Sequence, residues 1–236
     1  MYSKKKSPKR RFLFYCKKNF IIENGIFLLY NRTKFIIKIK AMTKTDEIIE
    51  KTNKKIIKDY EVLRKVVDGL SAANHKIVVT IGSWDMLHIG HVRYLTNAKS
   101  HGDILIVGAD SDRSIKLYKG EERPIIPEDE RLEMLVYQLP VDFATLIDDV
   151  DDSGAWQYEL IKALKPDVFV AVEDSYPESQ LNDIRQYCKE VVVLPRQART
   201  STSATIEKAV KIRGVKALKE LQAALKNVGD ILEGKK

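Results

Sequence analysis

Cysteine and long hydrophobic runs are both scarce in this sequence. Two cysteines, Cys16 and Cys188, occur in 236 residues, which excludes a disulfide framework, and their spacing does not suit a metal site. No stretch of about eighteen apolar residues without charge occurs, so no transmembrane helix is predicted. We therefore expect a protein of the reducing cytoplasm.

Acidic residues are nearly absent from the first 41 positions. This segment holds twelve Lys or Arg residues and one acid, Glu23, and so carries a net charge of +11. Subtracting +11 from the +8 of the whole chain leaves −3 on the remaining residues. The body is therefore mildly acidic, which argues against a nucleic-acid-binding domain with a broad basic face, and no nucleic-acid partner is expected.

The same N-terminal segment shows neither a helical nor a strand period. Three interpretations are open: a basic arm for membrane surfaces or nucleic acid, a degenerate targeting segment, or translated upstream sequence before a true start at Met42. We favour the last, because a regular pattern begins abruptly after residue 41. Residues 1–41 are therefore predicted to be a basic extension that is disordered or not native.

Two amphipathic helices are predicted to flank the body. Apolar residues recur every seven positions between residues 45 and 70, which predicts one long helix packed on the body or on a partner subunit. These residues are Ile49, Ile56, Leu63 and Leu70. The predicted divisions after residue 41 are a helix over 42–74, a main domain over 75–212 and a C-terminal helix over 213–236, and the helices are consistent with a homodimer.

The main domain alternates strand-like and helix-like segments. Nearly all-apolar runs at 77–81, 104–107, 143–147, 168–172 and 191–194 are separated by segments with helical spacing. Such strands are typical of a parallel sheet that is covered on both faces. The sequence therefore predicts an α/β, Rossmann-like, doubly wound sheet of five parallel strands, with ligands beyond the carboxyl ends of the strands.

The turn after the first of these strands carries the strongest chemical signal. Gly82 lies in the turn, and His88, Gly90 and His91 lie at the start of the next helix. Residues three apart share a helix face, and a helix N-terminus with nearby glycines suits a phosphate. A zinc pair is the alternative, but zinc needs three or four ligands, and no other histidine or cysteine is suitably placed. We predict a phosphate site and no protein metal site.

This turn resembles the HIGH-motif nucleotidyltransferase superfamily. The family pattern Gly-x-Phe-Asp-x-x-His-x-Gly-His is matched at Gly82, Asp85, His88, Gly90 and His91, with Trp84 in place of Phe. The resemblance implies catalysis by His88 and His91. It also implies nucleotide binding by Ile81, Gly82, Ser83, Asp85 and Gly90, and Mg²⁺ accompanying a nucleoside triphosphate.

A polar segment over 108–124 follows the second strand and is predicted to be a loop. By itself it suggests only a solvated charged loop. Residues 102–131, however, resemble ADP-heptose synthase adenylyltransferase domains and glycerol-3-phosphate cytidylyltransferase-like enzymes. The resemblance implies that Lys119 is catalytic, that Lys116 and Arg123 bind the nucleotide, and that Asp112 lies at the acceptor.

Hydroxyl residues precede the helix after the fifth strand. Ser201, Thr202 and Ser203 would make an ordinary helix N-cap. They also resemble the Ser-Thr-Ser/Thr motif of the family, usually preceded by Arg, which here is Arg199. That resemblance implies contact with the β- and γ-phosphates. The absence of a Lys-Met-Ser-Lys-Ser-like segment separates the chain from class I aminoacyl-tRNA synthetases.

Glu173 and Asp174 follow the fourth strand at a ligand-side end and are predicted to bind the acceptor. ADP-heptose synthases carry Lys-Gly-Gly-Asp-Tyr here, and this chain lacks the lysine and the glycines. Because of this difference, the sequence leaves open which acceptor is used and whether the nucleotide base is adenine or cytosine.

The resemblance implies a nucleotidyltransferase that joins a nucleoside monophosphate to a phosphorylated small molecule and releases pyrophosphate. The favoured pair is ATP and a sugar phosphate such as heptose 1-phosphate. The alternative is a CTP-dependent enzyme for glycerol 3-phosphate or a similar alcohol phosphate, and archaeal-type FAD synthetases resemble the motif as well. An alternative of another class is a nucleotide-binding regulatory module without turnover.

Overall fold

The computed structural model describes residues 20–23, 26–30, 36–40 and 43–232, with side chains from residue 43 to residue 228. The chain divides into two compact units, Met1–Lys51 and Thr52–Lys236. The sequence prediction for residues 1–41 falls largely outside the described residues.

Three short strands lie in the first unit. They are β1 (Phe20–Glu23), β2 (Ile26–Tyr30) and β3 (Ile36–Lys40), and they pair antiparallel in that order. Aromatic and β-branched residues favour this conformation. The sequence analysis found no strand period in this segment and therefore missed these three strands.

Two helices, not one, occupy residues 44–72. They are α1 (Lys44–Asn53) and α2 (Tyr60–Ala72), so the predicted single helix over 45–70 is wrong. The break arises because Ile56 forms a parallel bridge with Ala144. Asp59 then starts the second helix by accepting hydrogen bonds from the N–H groups of Glu61 and Val62.

The second unit contains the predicted sheet of five parallel strands. They are β4 (Ile77–Gly82), β5 (Ile104–Asp110), β6 (Phe143–Ile147), β7 (Val168–Val172) and β8 (Glu190–Leu194). Their order is β6-β5-β4-β7-β8, with every pair parallel. The α/β, Rossmann-like prediction is confirmed. The chain reverses its winding between β4 and β7, and the carboxyl ends of these strands therefore border a crevice.

Helices cover both faces of this sheet. The remaining helices are α3 (Ile89–Lys99), α4 (Asp112–Lys119), α5 (Glu128–Val136), α6 (Glu159–Leu164), α7 (Glu178–Arg185) and α8 (Thr202–Leu232). One core contains Leu95 of α3 and Leu135 of α5. The other core contains Leu63 of α2, Leu160 of α6 and Ile184 of α7. Of the two alternatives predicted for the segment around Leu63, packing on the body or on a partner subunit, the structure shows packing on the body.

Helix α8 is the least packed element of the second unit. It runs without interruption through Gly214, so the predicted separate helices are one helix. Every described side chain from residue 207 to residue 228 is exposed. Leu218, Leu221, Leu225 and Val228 are 53–62% exposed and lie on one face. Along the described part of the chain, no helix combines the length and the hydrophobicity that crossing a membrane requires.

Candidate active site

The turn from β4 to α3 is held in an unusual backbone conformation. Trp84 and Met86 have φ values of 51° and 52°, in the left-handed region that non-glycine residues rarely adopt. The buried Trp84 indole fixes the turn, because its Nε1 donates a hydrogen bond of 2.8 Å to the carbonyl of Gly108 on β5. The tryptophan that replaces the usual phenylalanine of the motif therefore ties the turn to the neighbouring strand.

Asp85 lies beneath the turn and does not line the cavity. Its carboxylate is fully buried and forms an ion pair with Arg123, with an Nη2–Oδ2 distance of 2.7 Å. It also accepts hydrogen bonds from the backbone N–H groups of Ile125 and Ile126, each at 3.0 Å. Burial alone would raise the pKa of Asp85, but these hydrogen bonds outweigh it and lower the pKa. Asp85 therefore positions Arg123 and the 123–126 loop.

The imidazoles of His88 and His91 stack at the N-terminus of α3, with ring centroids 3.9 Å apart. The Nδ1 atom of His88 accepts from the N–H of Gly90 at 3.1 Å, and that of His91 accepts from the N–H of His88 at 3.3 Å. An Nδ1 atom that accepts must be unprotonated, so the proton of each neutral ring is on Nε2.

Burial keeps both rings neutral. Burial lowers the pKa of the His88 imidazole. Burial also lowers the pKa of the His91 imidazole to about 4, and the nearby His88 and Lys119 act in the same direction. At neutral pH both residues are therefore uncharged Nε2–H donors at the rim of the cavity.

Gly90 is required by close packing at this point. A Cβ atom there would lie 2.8 Å from His88 Cε1 and 3.1 Å from the Cβ of Ala198. Any other residue would displace the His88 ring.

Helix α4 carries the predicted lysines, so the predicted loop over 108–124 is wrong as far as residue 119. Ser111 caps this helix by accepting from the N–H of Ser114. Lys119, in the last turn, donates a hydrogen bond of 2.8 Å to the hydroxyl of Ser83. Burial, and next the charge of Arg123, lower the pKa of Lys119. Lys116 is exposed and lies outside the cavity lining.

Arg131 of α5 is fully buried and joins three segments around the cavity. It donates to the carbonyl oxygens of Ser83 (2.6 Å) and Ile126 (2.9 Å), and to the carboxylate of Asp112 (2.7 Å). The Asp112 carboxylate therefore neutralises a buried guanidinium and does not line the cavity.

The start of α8 closes the cavity. Ser201, Thr202 and Ser203 line it, and the Thr202 hydroxyl donates a hydrogen bond of 2.7 Å to the backbone carbonyl of Asp85. Arg199 instead borders a neighbouring open cleft, together with Arg93.

These elements enclose a cavity of about 600 Å³ at the carboxyl ends of the strands. The predicted residues that line it are Ile81, Gly82, Ser83, His88, Gly90, His91, Lys119, Arg123, Glu173, Ser201, Thr202 and Ser203. Those that do not line it are Asp85, Asp112, Lys116, Asp174 and Arg199.

Sequence reasoning missed a second group of lining residues, namely Asp110, Tyr118, Trp156, Tyr176, Gln180 and Arg196. Asp110 is the last residue of β5, and its position at the carboxyl end of a parallel strand was an available signal. Within residues 43–228, no three His, Cys, Asp or Glu side chains form a group that could hold a metal ion.

Residues 79–215, more than half of the chain, match the cytidylyltransferase-like family. The chain belongs to this family. The predicted relationship to nucleotidyltransferases is thereby confirmed.

Several proteins named bifunctional protein HldE are similar to this chain. That of a Nitratiruptor species is 36% identical over 179 residues, covering 72% of this chain and 37% of the relative. The protein of that name from Helicobacter acinonychis is 38% identical over 161 residues, which cover 68% of this chain and 32% of the relative. The chain thus spans about a third of the length of these relatives.

Among solved structures, a lipopolysaccharide core biosynthesis protein from Thermoplasma volcanium is 26% identical, with a TM-score of 0.46. The match covers 52% of this chain and 99% of the Thermoplasma volcanium chain.

Proposed function

We propose that the protein transfers adenylate from ATP to a sugar phosphate such as heptose 1-phosphate, with release of pyrophosphate. The observation that carries this proposal is the pair of neutral Nε2–H donors, His88 and His91, beside Lys119 in a cavity at the strand ends. The similarity of residues 102–131 to ADP-heptose synthase adenylyltransferase domains, and the relatives named HldE, support the donor and the acceptor.

The reaction needs no nucleophile from the protein. An oxygen of the acceptor phosphate attacks the α-phosphorus of the nucleotide in line, and a new P–O bond forms. The bond between the α-phosphorus and the bridging oxygen breaks, and pyrophosphate leaves with the electron pair. Catalysis is then positioning together with stabilisation of negative charge on the phosphoryl oxygens.

The proposed roles follow from charge and position. Neutral imidazoles hydrogen-bond to phosphoryl oxygens through Nε2–H without themselves needing to lose a proton. Lys119 and Arg123 supply positive charge near the same turn. Ser201 and Ser203, at the start of α8, offer hydroxyl and N–H groups to the departing pyrophosphate. Mg²⁺ enters as part of the substrate, bound by the triphosphate oxygens.

Pyrophosphate release tests the proposal directly. The full chain is assayed with ATP or CTP against heptose 1-phosphate, mannose 1-phosphate, glycerol 3-phosphate and ethanolamine phosphate. Release with ATP and a sugar phosphate is expected, and His91→Ala should abolish it with little loss of stability. Release only with CTP and an alcohol phosphate would favour the alternative enzyme. Nucleotide binding without release from any pair would favour the non-catalytic module.

We also propose that the protein acts as a homodimer in the cytoplasm, without a nucleic-acid partner. The exposed apolar face of α8, which includes Leu218, Leu221, Leu225 and Val228, supports self-association. The positions flanking this face include Ala217, Gln222 and Ala224, which are uncharged, so two copies can pair without like-charge repulsion.

A further inference from the structure

Part of the cavity lining is not used by the phosphate chemistry. Asp110 ends β5 and Tyr118 lies on α4, while Trp156, Tyr176 and Gln180 come from the segments after β6 and β7. This wall therefore combines one carboxylate, one amide and three aromatic rings from separate parts of the chain. A mostly apolar wall with a few placed polar groups is typical of small-molecule sites.

The Asp110 carboxylate is held in place but only partly satisfied. Its Oδ2 accepts a hydrogen bond from the Tyr118 hydroxyl. Over residues 43–228, no hydrogen bond to its Oδ1 is present, and this oxygen is left to accept from a ligand. Burial raises the pKa of Asp110, while the Tyr118 hydroxyl and the Lys119 charge act in the opposite direction.

The aromatic part of the wall is also fixed by its neighbours. The rings of Trp156 and Tyr176 have centroids 6.0 Å apart, and Phe169 packs edge-on to Tyr176 at 5.8 Å. The Tyr176 hydroxyl donates to the carbonyl of Ile81 at 3.3 Å, which ties this wall to the strand that leads into the phosphate-side turn. Fixed aromatic rings offer flat apolar faces to the C–H groups of a ring such as that of a sugar.

The chemistry of this wall restricts what it can bind. A purely apolar ligand would bury the Oδ1 atom of Asp110 without a hydrogen-bond donor, which is unfavourable. A further anionic group would meet the carboxylate at close range. A neutral skeleton with several hydroxyl groups satisfies Asp110 and Gln180 and packs on the aromatic faces.

Lys119 links this wall to the phosphate side. It follows Tyr118 in α4, and its ammonium group donates to Ser83 in the phosphate-side turn. An acceptor with its phosphate at Lys119 thus has its carbon skeleton beside Asp110.

We infer that Asp110, Trp156 and Tyr176 form the subsite for the hydroxyl-bearing skeleton of the acceptor, and that Asp110 determines acceptor specificity. This inference rests on the proposed function, because it assigns the sugar of the proposed sugar phosphate to a wall of the same cavity. The inference assigns acceptor binding to these residues instead of the predicted Asp112 and Asp174, neither of which lines that cavity.

Binding measured apart from turnover tests the subsite. Titration calorimetry with the full chain, in the presence of a non-hydrolysable ATP analogue, measures the Kd of heptose 1-phosphate and mannose 1-phosphate. Asp110→Asn keeps the size of the side chain and removes its charge, and Trp156→Ala removes the aromatic face. Asp152→Asn, an exposed aspartate outside the cavity lining, is the matched control.

Asp110→Asn should raise the sugar-phosphate Kd about tenfold or more, because a hydrogen bond to a charged group is lost. Trp156→Ala should act in the same direction, and the Kd of the ATP analogue should stay within about twofold of the wild-type value. Tyr118→Phe frees the carboxylate from its anchor and should also weaken sugar-phosphate binding, which keeps the test informative if Asp110→Asn does not fold.

Three results would overturn the subsite: unchanged sugar-phosphate affinity in the variants, an equal loss of nucleotide affinity, or no sugar-phosphate binding by the wild type. Pyrophosphate release is recorded separately. Sugar-phosphate binding that depends on Asp110 without pyrophosphate release would keep the subsite and refute the proposed function.

Discussion

Replacing Asp85 by Asn tests the support beneath the turn from β4 to α3. The substitution keeps the side-chain volume but removes the charge that balances Arg123, whose side chain is only 12% exposed. The amide oxygen can still accept from Ile125 and Ile126, but the amide N–H₂ group cannot accept from the guanidinium. Arg123 is then left as a nearly buried cation without its partner.

The expected cost can be estimated from this loss. Removing one partner of a buried ion pair typically costs about 3–5 kcal/mol, and the remaining exposure of Arg123 places the value near the lower end, about 2–4 kcal/mol. For a unit of this size each kcal/mol lowers Tm by about 2–4 °C, so Asp85→Asn should lower Tm by about 5–15 °C. Calorimetric or circular-dichroism melting curves measure this change.

The effect has a defined pH dependence. The folded-state pKa of Asp85 is lowered, so its contribution to stability is fully present above the unfolded-state value near 3.8. The contribution is lost as the pH falls through the lower folded-state pKa. The difference in unfolding free energy between wild type and Asp85→Asn should therefore be constant from about pH 5 to about pH 8 and shrink below about pH 4.

A matched control and a double variant make the test decisive. Asp68→Asn removes an exposed carboxylate that lies 3.8 Å from Arg64, and should cost less than about 0.5 kcal/mol. Combining Asp85→Asn with Arg123→Gln should cost at least about 1 kcal/mol less than the sum of the single variants. Strict additivity, or a Tm of Asp85→Asn within about 2 °C of wild type, would refute the reasoning.

Three further predictions concern helices α3 and α8. Gly90→Ala should lower kcat at least about tenfold with a small change in Tm, because its Cβ displaces the His88 ring, and full activity would contradict this. NMR titration of the free protein should show His91 protonating at about pH 4, so a midpoint of about 6 or above would disprove the neutral-donor assignment. Sedimentation should show a dimer that Leu221→Asp dissociates and that Ala223→Asp, on the opposite face of α8, leaves intact; a monomeric wild type would refute self-association.

The sheet was predictable because its strands are mostly apolar runs, each followed by a helical segment. The runs at 77–81 and 143–147 are strands β4 and β6 with bounds within one residue of those predicted. The His88–His91 pair was predictable because both residues lie on one helix, where three positions of sequence separation fix their proximity.

The missed features depend on contacts between distant segments. The seven-residue period continues through Ile56. This apolar residue pairs with Ala144 of β6 and does not lie on a helix, so the period does not mark one continuous helix. Asp110 and Asp112 look equivalent in sequence. One ends a strand at the cavity, and the other turns toward Arg131, a residue nineteen positions later whose burial no local pattern shows.

The network around Arg131 has a consequence for redesign. Its three hydrogen bonds join the turn at Ser83, the loop at Ile126 and the start of α4, so one side chain holds these three segments together. Trp156 and Gln180 lie outside these hydrogen bonds, on segments that follow β6 and β7. Substitutions at Trp156 and Gln180 should therefore change which molecule the cavity accepts without breaking the hydrogen bonds of Arg131.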